Sequence, residues 1–394
     1  MPPEMHALLG ASSAHRWLHC PPSARLTEHM EDSGSPYAAA GTLAHAIAEL
    51  KARKYFTVMN TRTYSNQLKK LKGEQSYDPG MDAATDEYLE HLKARAMSYG
   101  SERPFVALEV RVDYSEIVPE GFGTADCVMI GGDRMEIVDY KNGAGVPVEA
   151  EANEQLMLYA LGALQVFRPV YGGVIRTVHC SIVQPHAGGV KEWECSVSDL
   201  EVWAKTVAAP QAALAWEGKG EYSPGNWCRF CRAKAQCSAR ARAMLELESA
   251  PYALQTLADA GPLLTGEQLG DALTRGRALA AWVSDLESYA LSAVLAGREV
   301  AGYKAVEGRG SREWTGGADA AFDRLTARGV EEALLWERKP VSVAALEKLL
   351  GKKSFGEKAG DLVEKKPGKP TLAPESDKRP PYNAITAAFK AVGI

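Results

Sequence analysis

Apolar positions recur every three to four residues in two N-terminal stretches, which predicts helices over 41–55 and 81–98. Between residues 105 and 141 the period changes to two, the pattern of strands. The predicted strands cover 105–112, 123–130 and 135–141. The residues Gly131, Gly132, Asp133 and Arg134 lie between the last two strands, and such a glycine-rich stretch is typical of a tight hairpin.

The pattern then returns to helix and strand in alternation. Residues 150–166 are predicted to be helical, 171–183 to be a strand, and 199–217 to be helical again. A further short strand is predicted at 193–197. Helices before and between strands indicate an α/β core, which we place in residues 1–245.

The rest of the chain has a different composition. Residues 246–350 are rich in Ala and Leu and are predicted to be mostly helical, with a long helix at 266–296 and a short strand-like piece at 302–306. Residues 351–394 are rich in Gly, Pro and Lys and contain nine Lys or Arg against five acidic residues. We interpret this last segment as a basic tail, with one short helix at 383–391.

Composition and charge exclude several classes of protein. The chain has 394 residues, 46% hydrophobic and 24% charged, as in ordinary globular proteins. Its formal net charge of -5 excludes a protein that coats nucleic acid by bulk charge, but it permits one that grips phosphate locally through metal. No apolar run is long enough for a membrane span, and residues 1–6 lack the features of a signal peptide. We therefore expect a cytoplasmic protein with no membrane partner.

Three of the seven cysteines form a tight group. Cys228, Cys231 and Cys237 lie within ten residues in a polar, basic segment, which predicts a metal ion or an iron–sulfur cluster. Cys20, next to a Pro-Pro turn, is the predicted fourth ligand. Spacing alone does not separate zinc from iron–sulfur. The remaining cysteines lie in predicted strands and are expected to be core residues: Cys127, Cys180 and Cys195.

Two aspartates and a lysine are the candidate chemical centre. Asp139 and Lys141 are two residues apart on one predicted strand, so their side chains share a face. The short hairpin allows Asp126 on the preceding strand to approach Asp139. Two neighbouring carboxylates are costly unless a cation is bound, and Mg²⁺ or Mn²⁺ suits such hard oxygen ligands. The lysine would then orient or deprotonate an attacking water and stabilise charge at phosphorus.

Three polar side chains accompany this centre. Gln155 and Tyr159 are four residues apart in an otherwise apolar helical stretch, so they share one helix face. His45, in the small-residue helix that starts at Gly41, is a candidate third metal ligand.

The combination of these motifs resembles the PD-(D/E)XK nuclease superfamily and, within it, the RecB-like exonucleases. The likeness runs over residues 12–240, through Gly41-x3-His45, Gly123-Thr124-Ala125-Asp126, Val138-Asp139-Tyr140-Lys141 and Gln155-x3-Tyr159. One cysteine before the core and three after it resemble the iron–sulfur members. An arginine that is common beside the first carboxylate is absent from this chain.

The resemblance implies a fold and a role for each residue. The fold would be a central mixed sheet flanked by helices. His45, Asp126, Asp139 and the backbone carbonyl of Tyr140 would hold the divalent ion. Lys141 would position the water, with Gln155 and Tyr159 orienting it or contacting the DNA backbone. The four cysteines would hold a structural [4Fe-4S] cluster, with Zn²⁺ as the alternative. Weaker candidates are two acids, Glu49 as a ligand and Glu109 as an outer acid.

The C-terminal third resembles phage and prophage proteins of RecB-like type, through residues 349–353 and 368–380. This likeness implies a DNA exonuclease that resects ends beside a single-strand annealing recombinase. Two other hypotheses stay open, a non-catalytic DNA-binding or assembly module and a zinc-stabilised scaffold with accidental carboxylates. The oligomeric state is not predicted.

Overall fold

The computed structural model describes residues 7–30, 36–100, 103–143, 146–249 and 265–306, with a few short pieces beyond residue 322. The chain divides into two compact units, Met1–Ala305 and Val306–Ile394. The predicted helix at 383–391 lies outside the described residues, as does the segment 368–380 and all but residue 351 of 349–353.

The first unit contains ten helices and five strands among its described residues. The helices are α1 (Ala14–His19), α2 (Ser23–Leu26), α3 (Pro36–Phe56), α4 (Thr61–Leu71), α5 (Gly80–Met97), α6 (Glu154–Tyr171), α7 (Val197–Trp203), α8 (Ala209–Glu217), α9 (Ser238–Ser249) and α10 (Gly266–Leu295). The strands are β1 (Phe105–Asp113), β2 (Phe122–Gly131), β3 (Arg134–Tyr140), β4 (Thr177–Gln184) and β5 (Gly189–Ser196). One turn of π-helix, Ala204–Ala208, joins α7 to α8, and a short 3-10 helix covers Asn226–Phe230.

The five strands form one mixed sheet in the order β1-β2-β3-β4-β5. Neighbouring strands are antiparallel except β3 and β4, which are parallel. A parallel pair requires a crossover connection, and α6 provides it. The predicted α/β class is therefore confirmed as a five-stranded mixed sheet flanked by helices.

Each face of the sheet has its own hydrophobic core. On one face, Met135 and Ile137 of β3 belong to a core shared with α6. On the other face, Val138 and Tyr140 belong to a core shared with α3 and α5. Because β3 is covered on both sides, nearly every residue of it is buried. A polar side chain on this strand must therefore find its partners inside the protein.

The connection from α6 to β4 corrects one prediction. The strand predicted over 171–183 begins only at Thr177, because α6 continues to Tyr171. Gly172 then ends the helix with φ of 54°, the left-handed conformation that glycine adopts without strain. At its start, α6 is capped by Asn153, whose side chain accepts hydrogen bonds from the backbone N–H groups of Gln155 and Leu156.

Every helix among the described residues is too short or too polar to span a bilayer.

Candidate active site

A local distortion of the first two strands begins the site. The pairing of β1 with β2 passes from Leu108↔Cys127 to Val110↔Ala125, and between them Glu109 has φ of 50°. A non-glycine residue in this left-handed region costs about 1–3 kcal/mol, and such strain collects at functional sites. Here it accompanies the approach of Glu109 to Asp126 on the neighbouring strand.

Asp126 is fixed from two directions. Its Oδ2 atom accepts a hydrogen bond of 2.7 Å from the backbone N–H of Tyr140 on β3. The same oxygen lies 3.4 Å from Nδ1 of His45 on α3. The predicted approach of Asp126 to the Asp139–Lys141 segment is thus present in the structure, and Tyr140 reaches the site through its amide.

A second set of contacts joins Asp139 to α6. Lys141 Nζ lies 3.0 Å from Asp139 Oδ2 and donates to Gln155 Oε1 at 3.0 Å. The Gln155 amide nitrogen donates to Asp139 Oδ1 at 3.1 Å and contacts the Tyr159 hydroxyl at 3.2 Å. The asparagine cap of α6 fixes the backbone of Gln155, so the helix start positions its side chain between Asp139 and Lys141. The structure therefore brings Asp139, Lys141, Gln155 and Tyr159 into one network.

The site contains more acidic than basic side chains, and the pKa values of its groups reflect this excess of negative charge. Burial lowers the pKa of His45, but the carboxylates of Asp126 and Asp139 outweigh burial and raise it to about 9. Burial likewise opposes the charge of Lys141, and the same carboxylates still hold its pKa above the ordinary value. Both cations are retained by their acidic neighbours.

The carboxylates respond in different ways. Burial raises the pKa of Asp139, which Lys141 only partly offsets. Burial acts in the same direction on Asp126, but the charge of His45 holds its pKa below the ordinary value. Burial and the negative charges of Asp126 and Glu49 raise the pKa of Glu109 to about 7. The negative charges of Asp139 and Glu109 are therefore only partly balanced by positive charges in the protein alone.

Two observations fit a hard divalent cation at this place. Asp139 Oδ2 is buried, pairs with Lys141 Nζ at 3.0 Å and has no further partner among the described residues. Ligand atoms of His45, Glu109 and Asp126 all lie within 4.8 Å of one another. An octahedral ion with bonds of about 2.1 Å places opposite ligands about 4.2 Å apart, so this spacing suits one ion.

Glu109 is the residue whose role the sequence understated. It was expected as an outer acid, but its carboxylate is within ligand distance of His45 and Asp126. The signal available in the sequence was a glutamate inside the mostly apolar strand 105–112. Glu49 lines the same cleft, which has a volume of about 200 Å³, and its carboxylate pairs with Arg53 at 2.5 Å.

The four predicted cluster cysteines line one cavity of about 350 Å³: Cys20, Cys228, Cys231 and Cys237. Burial raises the pKa of the Cys228 and Cys231 thiols, and neighbouring thiols in the group add to this. In the described part of the chain, no three cysteine sulfurs lie within 4.8 Å of one another. A zinc ion with Zn–S bonds of about 2.3 Å would need sulfurs about 3.8 Å apart. The described cysteine sulfurs are therefore not gathered at the spacing of a zinc site.

The other cysteines agree with their predicted place in the core. Cys127 and Cys180 are fully buried on β2 and β4, and Cys195 on β5 is partly buried.

Comparison with known proteins defines the family. The model of the family described as "Protein of unknown function (DUF2800)" matches residues 6–380, so the chain belongs to this family. Among solved structures, the chain is similar to one described as "Crystal structure of SSO0001", with 13% identity over 58% of this chain and 96% of the other. The TM-score is 0.22, too low to carry an argument about fold or function.

Proposed function

We propose that the protein is a divalent-metal-dependent deoxyribonuclease of the RecB-like PD-(D/E)XK type, acting as an exonuclease rather than an endonuclease. The observation that carries this proposal is the gathering of Asp126, Asp139 and Lys141, in which one buried carboxylate oxygen of Asp139 has Lys141 as its only partner among the described residues. Neighbouring carboxylates beside an ammonium group are the arrangement that metal-assisted phosphodiester hydrolysis needs.

The residues that would hold the ion are His45, Asp126, Asp139 and the backbone carbonyl of Tyr140. We add Glu109, because its carboxylate lies within 4.8 Å of the ligand atoms of His45 and Asp126, close enough for one ion to bind all three. Mg²⁺ or Mn²⁺, when bound, would polarise the phosphate and lower the pKa of a water. The imidazole of His45 favours the softer Mn²⁺ somewhat more than Mg²⁺.

The remaining side chains have roles that follow from their contacts. The raised pKa of Lys141 keeps its amine protonated at neutral pH, so this residue orients water and stabilises negative charge at phosphorus rather than acting as the base. Gln155 holds Lys141 and Asp139 in register by bonding to both. Tyr159 contacts Gln155 from the next helical turn and limits its movement.

Digestion of end-labelled linear, nicked and circular DNA tests the activity. With Mn²⁺ or Mg²⁺, we expect linear DNA to be degraded from its ends and closed circles to survive. Asp139→Asn and Lys141→Ala should lower the rate by at least about 100-fold, the cost of removing one group that stabilises transition-state charge.

The matched control is Lys191→Ala, which removes a β5 lysine that pairs with the carboxylate of Glu149 away from the site. We expect it to keep the wild-type rate. Undiminished degradation by Lys141→Ala would show that the site is misplaced. DNA binding without degradation by the wild type in either metal would favour the non-catalytic DNA-binding or assembly module.

For the four cysteines we propose a structural [4Fe-4S] cluster, with zinc as the alternative. The common cavity supports a shared ligand, and in a cluster each thiolate would bind a different iron. The cluster would tie the segment before α2 to the segment before α9.

The colour of the anaerobically purified protein tests this assignment. A brown protein whose visible absorbance is lost in Cys231→Ser and kept in Cys195→Ser would support the cluster. Stoichiometric zinc by elemental analysis, in a colourless protein, would replace the cluster by zinc.

We further propose that the nuclease supplies single strands to an annealing recombinase. The support is the resemblance of segments 349–353 and 368–380 and the basic character of residues 351–394. Deletion of 351–394 should abolish co-elution with a single-strand annealing protein while leaving DNA degradation intact. Co-elution that survives the deletion would exclude this segment as the contact.

A further inference from the structure

A second group of metal-binding side chains lies outside the active site, and the nuclease proposal does not use it. His15 and His19 of α1 and Glu154 at the start of α6 offer ligand atoms that all lie within 4.8 Å of one another. We propose that these three side chains form a binding site for a transition-metal ion of the Zn²⁺ or Ni²⁺ class. The inference is independent of the proposed nuclease activity.

The helix provides the spacing. His15 and His19 are four residues apart, so both rings project from the same face of α1. His15 Nδ1 lies 3.2 Å and His19 Nε2 lies 3.1 Å from the same oxygen, Oε1 of Glu154. A tetrahedral ion with bonds of about 2.05 Å holds its ligand atoms about 3.4 Å apart, so the three atoms need to move little to bind one.

Asn226 positions one ligand ring. Its side-chain oxygen lies 3.0 Å from Nε2 of His15. A proton on Nε2, donated to this oxygen, would leave the lone pair of Nδ1 facing Glu154 Oε1 at 3.2 Å, with room for a metal ion to bind both atoms. Metal-bound histidines use their other ring N–H in this way, because a bonded partner fixes the tautomer.

The second ligand is held by an aromatic ring. Trp227 stacks on His19 with the ring centroids 4.5 Å apart and an angle of 12° between planes. Trp227 is itself fixed, because its indole N–H donates to the backbone oxygen of Ser223 at 2.7 Å. Ligands held in place before binding lose less entropy when the ion arrives.

The site is accessible to an ion from solvent. The side chains of His15, His19 and Glu154 are 48%, 43% and 21% exposed. Two nitrogen ligands and one carboxylate oxygen leave at least one coordination position for water, and imidazole favours Zn²⁺ and Ni²⁺ over Mg²⁺.

The position of the site suggests what a bound ion would do. It would link α1, the first residue of α6 and, through Asn226 and Trp227, the segment that carries Cys228. Glu154 directly precedes Gln155, which contacts Asp139 and Lys141. An ion here would stabilise the junction between the cysteine cavity and the helix that organises the active site.

Binding of Ni²⁺ to the full-length, tag-free protein tests the proposal. All proteins carry Asp126→Asn and Asp139→Asn, so that the active site does not contribute a second binding event. We expect one Ni²⁺ per chain by calorimetry. His19→Gln and Glu154→Gln should weaken binding by more than the roughly 10- to 100-fold that loss of an outer-shell partner costs.

His29→Gln is the matched control, because this N-terminal histidine is 92% exposed and lies 4.0 Å from an acid, Glu28. It should bind Ni²⁺ as tightly as its parent. Equal affinity in His19→Gln and His29→Gln, or no binding by the parent, would overturn the proposal. Circular dichroism checks each fold, and Glu154→Gln decides the matter if His19→Gln does not fold.

Discussion

Two buried carboxylates on one strand differ in how the protein treats them. Glu136 and Asp139 are three residues apart on β3, and they are 0% and 3% exposed. Both oxygens of Glu136 are partnered, by two nitrogens of Arg95 at 2.7 and 3.1 Å and by Arg134 at 2.7 Å. Asp139 has one oxygen bonded to Gln155 and the other paired with Lys141 at 3.0 Å, with no further partner among the described residues.

The difference shows which acid is structural and which is prepared for a ligand. A buried carboxylate that the protein needs only for its fold is fully paired, because an unpaired charge inside costs several kcal/mol. Asp139 and the nearby acids Asp126 and Glu109 share only two cations, Lys141 and His45. Positive charge therefore balances the acids around Glu136, where Arg95 also pairs with Glu192, and is short around Asp139, which is the condition for binding a cation from solution.

Replacing each of the two acids by its amide should give the largest contrast in stability, a loss for Glu136 and no loss for Asp139. Glu136→Gln leaves Arg95 and Arg134 without their carboxylate and should lower the free energy of unfolding by about 3 kcal/mol. Asp139→Asn should cause no loss in metal-free protein, because burial already disfavours its charge. Urea unfolding in chelator measures both. A comparable loss in Asp139→Asn would mean that this carboxylate is structural too.

The contacts among Asp139, Lys141, Gln155 and Tyr159 could be predicted from the sequence because they depend on local rules. The two-residue period put Asp139 and Lys141 on one face, and the helical spacing put Gln155 and Tyr159 on another. Both are set by backbone geometry, which a sequence displays directly. The glycine-rich hairpin likewise brought β2 beside β3, so the proximity of Asp126 followed.

What the sequence did not predict depends on tertiary contacts. The role of Glu109 follows from a left-handed backbone within a strand, which the pattern of apolar residues does not reveal. The pairing of His15 and His19 with Glu154 joins residues more than 130 positions apart. Helix α4 was also not predicted; none of its side chains is fully buried, and only Leu68 and Leu71 pack against the core.

Adding Mn²⁺ should produce the next largest change in stability. This change should again differ between the variants of Glu136 and Asp139. At a Mn²⁺ concentration 100 times its dissociation constant, the wild type should gain about 2.7 kcal/mol of stability. Glu136→Gln should keep this gain, since the carboxylate of Glu136 is not a proposed ligand of the ion. Asp139→Asn should lose most of it. Thermal unfolding with and without Mn²⁺ gives the comparison, and an equal gain in both variants would place the ion elsewhere.

A pH dependence is the third expected effect, and on the Asp139 side of the comparison it comes from two groups whose pKa is raised. The pKa of Glu109 rises from 4.5 to about 7 in the folded protein, and that of His45 from 6.5 to about 9. Both groups hold protons more tightly when folded, so metal-free stability should fall as pH rises. The Glu109 contribution changes between pH 4.5 and 7, and the His45 contribution between pH 6.5 and 9.

Variants assign each pH window to its residue. Glu109→Gln should flatten the lower window and His45→Gln the upper one, measured as urea unfolding free energies in chelator. Bound Mn²⁺ should reverse the upper trend, because the ion needs an unprotonated His45 and therefore binds more tightly as pH rises. An unchanged upper window in His45→Gln would mean that the proton responsible lies on another group. In that case protonated His45 would not be the positive charge that pairs with Asp126 in the metal-free protein.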